Sequence, residues 1–161
     1  NIKDENILLE CLFKNHPYEQ VAYQIYSLDN ICLEIGSGMI GELESEMETD
    51  KFLEYIKDRM KTNCIKHTAL IHKKIKKVAF CGGGGSFLLS DAKNKQADIF
   101  ISSDFKYHEF FDADNKIIIA DIGHYESEQF TKELIYDFLI KKFTKFAILL
   151  SKERTNPINY L

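Results

Sequence analysis

The chain has 161 residues, 45% of them hydrophobic and 29% charged, with a formal net charge of −4. That balance suits one globular core with a small appendage. It withholds the general attraction that a nucleic-acid or acidic-membrane partner would need. The longest apolar runs, such as IIIADI, are far too short to span a bilayer, and no start resembles a signal peptide. The first residue is Asn1 rather than Met, so a segment upstream is expected. Cys11, Cys32, Cys64 and Cys81 form no C-x-x-C pair. They read as reduced, mostly buried thiols, which suits a cytoplasmic location.

In chain order, DENILLECLFKN predicts a helix, with Ile7, Leu8, Cys11 and Leu12 at helical spacing. HPYEQ ends it, because Pro17 cannot continue a helix. VAYQIYSL reads as a strand. The glycines of GSGMIGEL mark a turn and a boundary near Gly36. TDKFLEYIKDRMK predicts a helix capped by Thr49 or Asp50, with Phe52, Leu53, Ile56 and Met60 on one face. CIKHTALIH reads as a strand.

A regular rhythm follows. KKVAFCG, ADIFISS and KIIIADIG predict strands. GSFLLSDAKNKQ, DFKYHEFFDA and HYESEQFTKELIYDFLIKKF predict the helices after them, and KFAILLS predicts a last strand. Strands alternating with helices argue for an α/β fold, a mostly parallel sheet with helices on both faces. The strands lack strict alternation, as expected where both faces are covered.

Ligands in such sheets bind beyond the carboxyl ends of the strands. One strand ends in Cys81 and GGGGS, the next in Ser102, Ser103 and Asp104, the third in Asp121, Gly123 and His124. Neighbouring strands would bring these groups to one edge. His124 and Glu128, four apart on a helix, share a face. An imidazole and a carboxylate so placed can bind divalent cations. They also suit a solvated first turn, where acidic groups are favoured anyway. Glu126 is expected on another, solvated face. GGGGS can cradle an anion or form a tight turn that lets another segment approach; no Walker Lys-Ser/Thr follows. Asp104 and His108 stand four apart at another strand end. They fit either a supporting role beside a metal or an ordinary cap with an exposed histidine.

Taken in order, HPYEQVAYQIY, GSGMIGEL, VAFCGGGGSFLLSDAKNKQADIFISSDFKYHEF, DIGHYESE and TNPINYL resemble segments of the NIF-three-like family. Its members are known as GTP cyclohydrolase type 2 homologues or dinuclear metal centre proteins. The resemblance implies two related α/β halves, many with an inserted PII-like domain of ferredoxin-type α+β fold between them. Residues 1–35 then correspond to the end of that insert, and residues 36–161 to the second core half. It implies His124 and Glu128 as metal ligands supplied by this half. The other ligands, a His-His pair and an aspartate, belong to the first half, and this sequence has no adjacent histidines. Two zinc, manganese or iron ions per intact subunit are implied, with weak or no binding by these residues alone. Asp104 and His108 match positions beside the site, where they would orient water or substrate. Ser103 stands where Gly is usual, and Gly84 where Ser is often found.

Two functions follow from the resemblance. One is a metal-dependent hydrolase acting on a nucleotide-like or phosphorylated small molecule, inactive without its first half. The other is a non-catalytic metal-binding or regulatory assembly. Both imply a homo-oligomer, a ring-shaped hexamer when intact.

Overall fold

The computed structural model describes residues 5–26 and 36–161. The chain divides into two units, Asn1–Glu34 and Ile35–Leu161. In the first, helix α1 spans Glu5–Asn15 and stops two residues before Pro17, as the sequence requires. The expected strand over 21–28 is not present at 21–26, and its last two residues lie outside the described ones.

The second unit holds a five-stranded sheet in the order β1-β3-β4-β5-β2. Its strands are β1 (Met39–Glu48), β2 (Lys66–His67), β3 (Lys74–Gly84), β4 (Ile99–Ser103) and β5 (Ile118–Asp121). The three central strands run parallel. β1 and β2 flank them antiparallel. The parallel strands come from the apolar runs predicted for them, and β4 and β5 are buried along their whole length.

Two apolar layers sandwich the sheet. On one side helix α2 (Thr49–Arg59) sets Phe52 against Ile75, Ile99, Ile118 and Ile122. Leu53, Ile56 and Met60 pack at the margin of that layer, so the predicted stripe is the buried one. On the other side helix α3 (Leu89–Asn94) brings Leu89 and Ala92 to Ala79, Phe100 and Ile119. Phe105 and Ala113, from the 3₁₀ segment region after β4, complete that layer.

Several expectations are corrected. The glycines of GSGMIGEL predict only a turn; Met39–Glu48 instead form β1, a ten-residue edge strand rich in glutamate. Thr49 does not cap α2, because its hydroxyl donates to the His72 carbonyl at 2.6 Å. The strand expected over 64–72 shrinks to the two residues of β2. The long helix expected over 124–143 is divided into α4 (His124–Glu128) and α5 (Thr131–Lys142), with Phe130 at φ −86° and ψ −4° between them. Residues 145–151 form no strand, since β2 already occupies the free edge of β5. Cys11 and Cys64 are exposed and only Cys81 is buried among the described cysteines; Cys32 lies outside them.

Candidate metal-binding site at the carboxyl edge of the sheet

Three consecutive parallel strands end at the same edge, and each end contributes one part of the site. β4 ends in Ser103, after which Asp104 takes φ +59°, a left-handed conformation that aspartate tolerates better than most residues. This turn aims its carboxylate sideways, toward the chain leaving β5. There Gly123 takes φ +93°, and α4 begins at His124. His124 Nδ1 lies 2.5 Å from Asp104 Oδ2, and His124 Nε2 lies 3.3 Å from Glu128 Oε2. The three side chains are each about half exposed, at 53%, 54% and 51% for His124, Asp104 and Glu128.

β3 provides the floor. Gly82, Gly83 and Gly84 continue the strand instead of forming the expected turn. Gly83 has φ +66°, and a Cβ there would sit 2.6 Å from Glu128 Oε1 and 3.2 Å from His124 Cε1. Its N–H donates to Ser127 Oγ at 2.8 Å, and the Ser127 hydroxyl donates to the His124 carbonyl at 2.8 Å. Of the two readings of the glycine run, close approach of another segment is the one this geometry displays at Gly83. The Ser102 hydroxyl donates to the Gly83 carbonyl at 2.9 Å, tying β4 to the same floor.

Beneath the surface groups lies Asp121, 2% exposed. Its carboxylate accepts from Phe105 N–H at 3.2 Å and Gly123 N–H at 3.1 Å, and pairs with Lys66 Nζ at 2.8 Å. It therefore fixes both turns that carry the site, the one after β4 and the one after β5. Ser103 is fully buried and its hydroxyl has no partner among the described residues.

The electrostatics follow from this packing. The hydrogen bond that Asp104 accepts from His124 pushes the His124 pKa up, opposed by partial burial and aided by the charges of Asp104 and Glu128. Burial, then the Glu128 charge, push the Cys81 thiol up. The carboxylate on Nδ1 favours the Nδ1–H form of a neutral imidazole, leaving the Nε2 lone pair facing Glu128.

Thus the structure brings Asp104, His124 and Glu128 together. His108 is on the 3₁₀ segment Tyr107–Ala113, exposed, with its ring against Tyr107, and no hydrogen bond joins it to the site among the described residues. Glu126 is corrected outright. It is 4% exposed rather than solvated, and accepts from Asn156 Nδ2 at 3.1 Å. Nothing in the sequence marked Asn156 as its partner. Among the described residues no group of three or more His, Cys, Asp or Glu side chains could hold a metal ion; the pair His124 and Glu128 is what this unit offers. No helix of the described residues is long and apolar enough to cross a membrane.

Comparison with known proteins places these observations. The family described as Duf34/NIF3 (NGG1p interacting factor 3) matches residues 4–157. A GTP cyclohydrolase 1 type 2 homolog from Bacillus subtilis is 33% identical over 162 residues, covering 98% of this chain and 43% of the relative. One from Staphylococcus epidermidis is 32% identical over 165 residues, covering 99% and 45%. The crystal structure of a Bacillus cereus protein related to NIF3 superposes with a TM-score of 0.69 at 30% identity, covering 98% of this chain and 44% of that one. A Staphylococcus aureus crystal structure shares the fold at 23% identity with a TM-score of 0.73, covering 99% and 53%. The chain thus spans less than half the length of the curated relatives it matches.

Proposed function

The chain belongs to the Duf34/NIF3 (NGG1p interacting factor 3) family, and on that premise we propose that the Asp104–His124–Glu128 edge is its contribution to a divalent-metal site in a hydrolase acting on a nucleotide-like or phosphorylated small molecule. One observation carries the reading. Asp104 holds Nδ1 of His124 while Nε2 and the Glu128 carboxylate point at each other across 3.3 Å. This is the arrangement by which an outer carboxylate fixes the tautomer and orientation of a ligating histidine.

The donor set fits such an ion. His124 Nε2 and a Glu128 oxygen would hold it, and imidazole with carboxylate suits zinc, manganese or iron. When bound, the ion would supply Lewis-acid stabilisation of developing negative charge. The protein's own part is to set, through Asp104, the tautomer in which Nε2 is the nitrogen that faces the ion, and to hold the glutamate against the glycine floor. Two protein ligands are fewer than zinc sites commonly use. Further ligands belong to the length that relatives have beyond this chain, and the substrate and the homo-oligomeric state belong to that whole protein. The cyclohydrolase name of the relatives accords with hydrolysis.

The test is Mn²⁺ added to this chain while amide signals are followed by NMR. Broadening centred on Gly83, His124 and Glu128, and lost in His124→Ala, is the expected result. Broadening centred elsewhere, or unchanged in His124→Ala, would overturn the ligand roles. In a protein of the relatives' full length, metal-dependent turnover abolished by His124→Ala is expected; turnover surviving that substitution removes His124 from the ligands, and no metal-dependent turnover in the native protein removes the hydrolase reading.

A further inference from the structure

We infer that residues 155–160 form the specificity wall of the His124–Glu128 site, positioned by the buried carboxylate of Glu126 and narrowed at Ile158. The inference deepens the metal-site reading above and rests on it for its meaning, though its geometry stands apart.

The wall begins with Glu126. A carboxyl group 4% exposed is costly to bury without a hydrogen-bond partner, and here Asn156 supplies one. Asn156 Nδ2 donates to Glu126 Oε1 at 3.1 Å, while Asn156 Oδ1 accepts from the Ile158 N–H at 3.1 Å. One amide side chain thus joins α4 to the backbone of Ile158. Gly123 leaves the room: with φ +93°, a Cβ there would strike the Glu126 carboxylate and come within 3.3 Å of the Tyr160 hydroxyl. The anchor and the ligands are on the same short helix. Glu126 faces the tail, and His124 and Glu128 face the opening.

The consequence lies in the cavities. One, of about 650 Å³, has His124 and Glu128 on one side and Pro157 and Ile158 on the other. A second, of about 300 Å³, has His124, Lys66 and Asp104 with Ile158 and Tyr160. Ile158 lines both, so its side chain partitions the space on the two sides of His124. A molecule approaching the imidazole from either space meets a lining that includes Ile158. A larger side chain there would exclude it and a smaller one would merge the two spaces. The wall itself is apolar at Pro157 and Ile158, which favours an apolar ring or chain in the part of a ligand facing away from His124 and Glu128.

Carbethoxylation of His124 by diethyl pyrocarbonate, read by peptide mass spectrometry, tests this on the chain itself at one pH above the imidazole range. His67, which is exposed and does not line either cavity, is the internal standard. Asn156→Ala and Ile158→Ala should each raise the His124 rate several-fold relative to His67, and Ile158→Trp should lower it. Equal rates in native and variant chains would overturn the wall. If Asn156→Ala fails to fold, the two Ile158 variants decide, since that side chain is half exposed. A second arm adds Mn²⁺ before the reagent. Protection of His124 in the native chain supports the metal reading. Because two ligands alone bind weakly, it is absence of protection in a protein of the relatives' full length, with the variant effects intact, that refutes the metal reading and leaves the wall standing.

Discussion

Gly83 offers the sharpest test of how the floor of the site is built. Its φ of +66° lies in the left-handed region, which costs an alanine roughly 1–2 kcal/mol. Replacing glycine also restricts the unfolded chain, which returns about 0.4–1 kcal/mol. The added Cβ would sit 2.6 Å from Glu128 Oε1, but that atom ends a flexible, half-exposed side chain. The carboxylate can swing away, so the contact adds little to the cost of folding and much to the geometry of the site. Gly83→Ala should therefore destabilise the chain by about 1 kcal/mol, a drop of roughly 2–4 °C in Tm for a domain of this size. It should also move Glu128 from its place 3.3 Å from His124 Nε2, so that Mn²⁺ broadening of His124 weakens. Urea unfolding of Gly83→Ala in the native and Glu128→Ala backgrounds separates the two effects. The stability loss should be nearly the same in both, because it comes from the backbone. A loss that disappears in Glu128→Ala would show that the clash dominates. No loss in either background would refute the left-handed assignment itself.

Other outcomes are equally definite. Asp104→Asn should lower the His124 pKa toward the ordinary histidine value of 6.5, visible in the imidazole proton shifts; an unmoved midpoint would refute the Asp104 contact. Because the folded pKa is raised, the stability from this pair is fully present below the unfolded value and lost as pH rises through the folded one, and the half-exposed setting keeps it small. Asp121→Ala strands two backbone N–H groups and should cost about 2–3 kcal/mol in urea unfolding, whereas Lys66→Ala, whose side chain is 60% exposed, should cost less than about 1 kcal/mol. Equal losses would mean that the ion pair, not the backbone anchoring, is what Asp121 provides. Ile99→Ala, at a position with no exposure in the α2-side layer, should cost about 2–5 kcal/mol; a loss under 1 kcal/mol would contradict the packing of that layer.

How much of this was legible depended on whether burial wrote a pattern into the sequence. α2 was readable because Phe52, Leu53, Ile56 and Met60 meet one layer, and β3 to β5 because their runs are apolar on both faces. β1 was not, because an edge strand can expose glutamates along much of its length. Residues 145–151 show the reverse: the pattern of a strand that pairs with none, the edge of β5 being taken by β2. The break between α4 and α5 left no Gly or Pro to mark it. There Gln129 donates its amide to the Met60 carbonyl at 2.7 Å, a contact between positions too distant for any local reading.

The site was legible in outline for a reason that also explains what was missed. Parallel strands that follow one another must end on the same edge, so Asp104 and His124 could be placed together without any contact being known. What the spacing could not give was the direction of each side chain after the strand ends. That depends on left-handed turns at Asp104 and Gly123, only one of which is a glycine. Glu126 makes the same point on one short helix. Helical phase separates it from His124 and Glu128, and at a helix start a carboxylate on the far face ordinarily meets water. It is buried here because a tail with no periodic signal supplies Asn156. The acid expected in water thus fixes the wall, while the pair that fitted either metal ligation or a solvated first turn faces the opening that the wall bounds.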